Sequence, residues 1–242
     1  MIPNRSLPSK PILAALLATV IGGAGAVAWA QAPAPPAPTI PERVAALKES
    51  LAKSAATLKQ YEWIETTAIS LKGEQKSSKQ VRCYYGADGK KQEVPITATP
   101  EKEMRGIRGK IAEDKKDELS DYMKQAVALL KTYVPPDPAR LQAAKDAGKV
   151  SLTPVEPGKR VRLDFKDYKK AGDTLSVEVN PVNNTLLGLK VNTWLKDAKD
   201  VVTLDVTFGT LNDGTSYAET IVLDAPSQKL AVNVGNSGYR KA

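Results

Sequence analysis

The sequence predicts an α+β fold in which helices cover the concave face of a curved antiparallel β-sheet. Three observations lead to this prediction. A helical period opens the chain, two-residue alternation follows on both sides of a second helical region, and the loops between neighbouring strands are short. Parallel strands need long crossover connections, so short loops indicate antiparallel pairing.

The first helix is marked by its start and by one apolar stripe. Thr39 and Glu42 have the spacing of a capping box, and Pro41 falls near the first turn, where proline is tolerated. The stripe recurs at steps of three and four residues and predicts a helix that ends near Lys59; its members are Val44, Leu47, Leu51, Ala55 and Leu58.

The pattern then changes to strand spacing. Residues 61–71 and 79–85 alternate larger apolar and polar side chains, with turn residues at Gly73 and at Gly89, and predict a hairpin of long strands. A short third strand is expected at 92–96. The polar, glycine-punctuated stretch that follows predicts a mobile loop up to residue 112.

Two helices are expected next. Residues 113–133 return to a helical period, and one apolar face contains Leu119, Met123, Ala126, Val127 and Leu130. Pro135 and Pro136 end this helix. Asp137 and Pro138 then have the pattern of an N-cap and a first helical position, which predicts a short helix ending at Gly148.

The rest of the chain predicts a meander of about six strands. Clean alternation or apolar runs are separated by turn residues such as Asn183 and Gly214, which favour tight turns. The predicted strands are 160–166, 175–179, 186–194, 202–208, 217–223 and 230–234.

The N-terminus predicts export. Arg5 and Lys10 precede an apolar stretch over 12–27, and Ala28-Trp29-Ala30 fits the small-x-small rule for signal cleavage. An uncut membrane anchor is the alternative, although glycines dilute the apolar stretch. We therefore expect a signal peptide at 1–30, a Pro/Ala-rich linker at 31–41 and one domain at 42–242. The mature protein would be periplasmic or secreted, with no integral membrane span.

The composition excludes most hydrolase mechanisms. The chain has no histidine and one cysteine, so it lacks Ser-His-Asp and Cys-His machinery, histidine-ligated zinc and any internal disulfide. Glu62 and Glu65 beside Trp63 resemble a pair of glycosidase carboxylates near an aromatic sugar platform. Adjacent residues of a strand point to opposite faces, however, so the side chains of Glu62 and Trp63 are expected to diverge. We expect no enzyme activity, no cofactor and no metal, and we expect Cys83 to be buried rather than reactive.

Charge points to no nucleic-acid partner. The net charge is +8, and removal of residues 1–30 leaves 33 basic against 27 acidic residues, or +6. The lysines are spread among acids, without arginine-rich runs or basic motifs interleaved with aromatic residues. This distribution indicates a solvated mixed surface.

The order of elements resembles the periplasmic carriers of outer-membrane lipoproteins, the LolA-like group. The resemblance rests on the helix at 44–58 running into the strand at 61–71, and on the meander at 159–235. Members have a cleaved signal, an opening helix, a long hairpin and a half-barrel with helices in its mouth. The resemblance implies an apolar concavity that shields acyl chains, with a lipid, an acylated protein or another envelope protein as partner.

The residues expected to line such a concavity lie on the apolar faces of the predicted strands. Burial of each methylene from water contributes about 0.8 kcal/mol to lipid binding. The alternative is that the same side chains pack directly against the helices and leave a filled core, as in a structural or protein-interaction domain. The candidates are Trp63, Ile69, Leu71, Val81, Val161, Leu163, Phe165 and Val177.

Overall fold

The structure is a computed structural model, and it describes residues 40–98, 107–183 and 185–242. The predicted signal peptide lies outside the described residues, as does the linker up to residue 39 and part of the loop predicted before residue 112.

Three α-helices, one short 3₁₀-helix (Pro226–Gln228) and ten strands make up the described chain. The helices are α1 (Ile40–Leu58), α2 (Ile107–Lys131) and α3 (Pro138–Asp146). The strands are β1 (Tyr61–Leu71), β2 (Glu74–Tyr85), β3 (Lys91–Ala98), β4 (Val150–Glu156), β5 (Arg160–Lys166), β6 (Thr174–Val179), β7 (Leu186–Trp194), β8 (Val201–Thr210), β9 (Ser216–Ala225) and β10 (Leu230–Lys241).

All ten strands form one antiparallel sheet in the order β3-β2-β1-β10-β9-β8-β7-β6-β5-β4. The meander from β4 to β10 is sequential, and the N-terminal strands join it because β1 pairs with β10. Strands β3 and β4 are the two edges, so the sheet is open. The α+β fold with a curved antiparallel sheet is therefore confirmed.

Bulges bend this sheet. Six of the nine strand pairs contain a register shift, among them β1 with β10, β2 with β3 and β8 with β9. A bulge places two residues opposite one and increases local twist and bending. In β10 the shift falls beside Gly238, whose φ of +64° favours glycine.

One face of the sheet, called here the inner face, packs against the helices. The main core combines Ala126 and Leu130 of α2, Leu141 and Ala144 of α3, and buried strand residues. Leu51 of α1 packs against the same core. The strand members of this core with the smallest exposure are Phe165, Leu175, Leu189, Val191, Val202, Ala225 and Leu230.

Hydrogen bonds tie α2 and the segment after it to the turns at one end of the sheet. The Tyr122 hydroxyl donates to Asp200 at 2.7 Å. The buried Tyr133 hydroxyl donates to Asp173 at 2.6 Å and lies 2.9 Å from the Thr193 hydroxyl. Asp173 also accepts from the backbone amides of Lys169 and Lys170, so this buried carboxylate is fully surrounded by donors.

The structure differs from the sequence predictions in several places. Helix α2 begins at Ile107 rather than 113. On that helix Tyr122 is buried and Val127 is exposed, because the helix turns Tyr122 towards Asp200. Strand β4 was not predicted, since Pro154 interrupts it and proline argues against a strand unless the strand lies at an edge.

Both edge strands carry a proline and an irregular register. Pro95 in β3 pairs with Val81, and Pro154 in β4 pairs with Val161. Proline lacks an amide proton and blunts a free strand edge against pairing with another chain. None of the described helices has the length and apolarity of a membrane span.

Candidate functional site

Apolar rows cross the inner face from one edge of the sheet almost to the other. Cross-strand pairing places the members of each row side by side, and two rows run from β4 to β10. The first row is Leu152, Leu163, Val177, Leu189, Val206, Ile221 and Val234. The second is Val150, Phe165, Leu175, Val191, Leu204, Leu223 and Val232, and it continues onto β1 at Ile69.

Burial along these rows is greatest in the middle and falls towards both ends. Val177, Leu189 and Val206 are buried beneath the helices, whereas Leu152 at the β4 edge is 63% exposed. At the other end Val232 is half-buried and Ile69 is 37% exposed. The helices therefore cover the centre of the inner face and leave apolar surface on its flanks.

The structure divides the predicted lining residues into separate groups. Phe165 and Val177 are in the main core, and Leu71 and Leu163 are partly buried against it. Val161 is half-buried and Ile69 is exposed. Trp63 and Val81 belong to a second cluster with Cys83. The eight residues do not line one shared cavity in the described structure, and whether any of them contacts a ligand stays a prediction.

The second cluster lies where β1, β2 and β10 meet. The Trp63 ring stacks on the ring of Tyr239, with ring centroids 5.6 Å apart. The ring centroid of Tyr85 lies 5.8 Å from that of Trp63, and the ring centroid of Tyr217 lies 4.4 Å from that of Tyr239. The Trp63 indole N–H donates to the Asn236 side chain at 3.1 Å. We call Trp63, Tyr85, Tyr217 and Tyr239 the aromatic cluster.

Charged groups border the aromatic cluster on the same face. Pairing of β2 with β3 sets Cys83 opposite Glu93 and Tyr85 opposite Lys91. The Lys91 ammonium lies 2.6 Å from Glu65 and 3.2 Å from Glu93, and 5.9 Å from the centre of the Trp63 ring. Burial disfavours the charged form of Lys91. The hydrogen bond and ion pair with Glu65 outweigh this effect of burial and raise the pKa of the Lys91 ammonium. The hydrogen bond from Lys91 lowers the pKa of Glu93.

Cys83 lies beneath these charges and is completely buried, as predicted. Burial raises the pKa of its thiol, so the thiol stays protonated and is a poor nucleophile. The ligand atoms of Glu65, Cys83 and Glu93 lie within 4.8 Å of one another, a spacing that suits a metal ion. The Lys91 ammonium supplies the positive charge there, and a metal would have to displace it and ionise the thiol.

The two glutamates beside Trp63 are separated by the sheet. Glu62 binds Arg240 and lies 3.9 Å from Arg82 on the outer face, whereas Glu65 binds Lys91 on the inner face. Carboxylates on opposite faces of a sheet cannot flank one glycosidic bond. The predicted divergence of Glu62 from Trp63 is therefore confirmed.

A polar contact joins the start of β1 to the turn between β8 and β9. The Tyr61 hydroxyl donates to Asp213 at 2.6 Å, and the backbone amide of Thr215 donates to the same carboxylate at 3.0 Å. These hydrogen bonds lower the pKa of Asp213 to about 2.

Sequence reasoning missed the charged border and half of the aromatic cluster. Lys91 and Glu93 reach Trp63 only through the pairing of β3 with β2, and Tyr239 reaches it only because β10 pairs with β1. In the sequence, the cluster was indicated by the alternation that places Tyr85 and Cys83 on one face of their strand. Nothing in the sequences of β3 and β10 indicated that these strands lie next to that face.

Comparison with known proteins adds little to this picture. No family model and no curated protein matches the chain. The crystal structure of a DUF1329 family protein from Desulfovibrio piger is similar over 81% of this chain and 92% of that chain, at 11% identity and a TM-score of 0.34. A likeness this low supports no conclusion about family or activity.

Proposed function

We propose that this chain is an exported, non-enzymatic protein that binds an apolar or lipid ligand on the inner face of its sheet. The ligand site we propose is the flank formed by β1 and β10, beside the helix-covered core. The periplasm or the cell exterior is its proposed location, and a lipid or acylated protein its proposed partner.

The observation that carries this proposal is the second apolar row, which leaves the core at Val232 and emerges at Ile69. Leu71 and Leu230 border the row on one side, and Thr67 and Val234 border it on the other. An acyl chain lying along this flank would bury apolar surface, which contributes roughly 25 cal/mol per Å².

A filled-core structural or interaction domain is the second candidate function. Phe165, Leu175 and Val177 favour it, because each is buried directly against the helices or neighbouring strands. On this alternative the exposed flank contacts another protein rather than a lipid.

Native mass spectrometry of the protein purified from its own cells is the first test. We expect a stoichiometric lipid adduct, and lipid extraction would identify its class. An unliganded mass both after purification and after incubation with fatty acids and phospholipids would overturn the proposal and favour the second candidate.

An apolar fluorescent probe, N-phenyl-1-naphthylamine, locates the site. We expect saturable binding that palmitate displaces. Ile69→Lys should weaken binding about tenfold or more, because it places a charge in the acyl path. Leu152→Lys is the matched control on the opposite flank and should leave binding unchanged; equal losses in both variants would contradict the β1–β10 location.

Export has a direct test of its own. N-terminal sequencing of the protein from the host envelope fraction should begin at Gln31, immediately after Ala30. A protein that retains Met1, or that fractionates with the cytoplasm, would contradict export without deciding whether the sheet binds a lipid.

A further inference from the structure

A small open pocket lies between the tips of two neighbouring hairpins, on a different part of the sheet from the proposed lipid flank. The β1–β2 turn contributes Lys72 and Gly73, and the β9–β10 turn contributes Lys229. The two tips are joined by a 2.7 Å hydrogen bond from the Lys72 amide to the Lys229 carbonyl. The pocket has a volume of about 410 Å³, within the range of small-molecule sites.

The floor and one wall of the pocket belong to the outer face. Ser70 pairs with Ala231, and Ala231 pairs with Asp224, so these three residues form one cross-strand row. The neighbouring row on the inner face contains Ile69, Val232 and Leu223. Since successive strand residues point to opposite faces, the pocket and the proposed lipid flank are separated by the sheet.

The backbone at both lysines is unusual. Lys72 has a φ of +54° and Lys229 a φ of +51°, and they are two of the three non-glycine residues with positive φ in the described chain. This left-handed conformation favours glycine or asparagine and disfavours a long side chain. Positive φ at both Lys72 and Gly73 suits the two-residue connection between β1 and β2, and Lys229 is the left-handed residue that ends the short helix Pro226–Gln228. At each of these two turns the sequence places an ammonium group.

No carboxylate of the described residues lies within ion-pair distance of either lysine, and both are exposed. Two other turn lysines do have a carboxylate partner: Lys90 lies 3.8 Å from Asp88, and Lys159 lies 2.8 Å from Glu156. The two ammonium groups that border the pocket are therefore available to an anion from solution.

We propose that this pocket binds the phosphate or carboxylate group of a small molecule that also carries an O–H or N–H donor. Lys72 and Lys229 contact the anion, Asp224 accepts from the donor, and Ala231 provides the apolar surface between them. The anionic group belongs either to a free metabolite or to a lipid headgroup, since both present the same chemistry.

Amide chemical shifts of the full mature protein, titrated with glycerol 3-phosphate, test the proposal. We expect saturable shifts confined to the backbone amides of 70–73 and 229–231. Lys72→Asn and Lys229→Asn remove the charges but tolerate the left-handed backbone, and each should weaken binding about tenfold. Lys199→Asn, an exposed lysine in the β7–β8 turn, is the matched control and should leave the affinity unchanged.

A variant that is expected to bind more tightly distinguishes a lost contact from misfolding as the cause of weaker binding. Asp224→Asn removes a negative charge from the wall, so it should tighten binding of inorganic phosphate several-fold. Misfolding cannot produce a gain. The proposal would be overturned by shifts spread over all lysine-bearing turns, by unchanged affinity in the two lysine variants, or by an equal loss in Lys199→Asn.

The source of the anion is decided by a second ligand. Tighter binding of dihexanoyl phosphatidylglycerol than of glycerol 3-phosphate would identify a lipid headgroup site, and equal binding would identify a site for a soluble anion. The pocket is on the outer face, so a failure to bind anions there leaves the proposed lipid binding on the inner face unaffected. In the same way, a failure to bind lipid on the inner face leaves the proposed anion pocket unaffected.

Discussion

The centre of the sheet and its N-terminal arm are stabilised in different ways. Over β5 to β9 the inner face is covered by α2 and α3, and side chains such as Leu175 and Val202 are completely buried. The arm, formed by β1 to β3, instead has the small cluster around Trp63, a charged border at Lys91 and an exposed third strand.

The difference indicates how one sheet can combine a rigid scaffold with an adaptable surface. Close packing makes the centre sensitive to any change in volume. The arm depends on fewer buried contacts and on hydrogen bonds and ion pairs that water can replace. Binding surfaces are commonly drawn from such less stable regions, because a ligand can then displace existing contacts at low cost.

The largest expected contrast compares a buried leucine with an exposed isoleucine. Leu175→Ala should lower the free energy of unfolding by about 3 kcal/mol, because it leaves a cavity in the core. Ile69→Ala on the arm should lower it by about 1 kcal/mol or less, since Ile69 is already partly in water. Urea unfolding followed by circular dichroism measures both, and equal losses would remove the distinction between the two regions.

A second contrast concerns tyrosine hydroxyl groups. Tyr133→Phe should lower the free energy of unfolding by about 2 kcal/mol, because it removes the donor from the buried Asp173 carboxylate. Tyr85→Phe is the control in the arm: its hydroxyl has no hydrogen-bond partner among the described side chains. We expect its effect to be below about 0.5 kcal/mol, and a larger loss there would mean that the arm has its own polar core.

The charged border of the arm is tested by two lysines on the same face. Lys91→Met should lower the free energy of unfolding by about 1 kcal/mol, because Glu65 and Glu93 lose the cation between them. Lys79→Met removes a more exposed lysine 3.4 Å from Glu93 and should have a smaller effect. Thermal unfolding at low and high salt checks the ranking, and the reverse order would contradict the assigned role of Lys91.

The smallest effect is a pH dependence where β1 begins. The pKa of Asp213 is lowered to about 2 in the folded state, whereas a carboxyl in the unfolded chain has a pKa near 3.9. Its stabilisation is therefore present above about pH 4 and is lost as the pH falls towards about 2. Urea unfolding of Asp213→Asn and of the original protein should show a difference in the free energy of unfolding. This difference should be constant above pH 5 and vanish near pH 2. A difference that persists at pH 2 would exclude this carboxylate as its source.

Much of the fold was predictable because its elements are marked locally. Alternation identified β1, β5 and β6, and the Asp137 N-cap of α3 is present, with its side chain accepting from the Ala139 amide. The pairing of β1 with β10 has no local mark, since it depends on the energy of the completed sheet. Strand β4 was missed for a related reason: Pro154 is acceptable only because this strand is an edge.

Less of the candidate site was predictable. Alternation placed Trp63, Ile69, Val81 and Phe165 on apolar strand faces, but it cannot show which part of a face the helices cover. Burial of Phe165 and exposure of Ile69 follow from where α2 and α3 lie across the sheet. The two lysines of the outer pocket were also beyond sequence reasoning, because their backbone conformation becomes apparent only when the hairpin tips are adjacent.

The pairing of β1 with β10 also determines when folding can finish. Tyr61 pairs with Lys241, so almost the entire domain separates two strands that lie side by side. Contacts between such distant positions close slowly, since the intervening chain must first be ordered. The meander from β4 to β9 can assemble as the chain emerges, but β1 to β3 have no place in the sheet until the last strand arrives. Completion of the sheet is thus a late event, coupled to the arrival of β10.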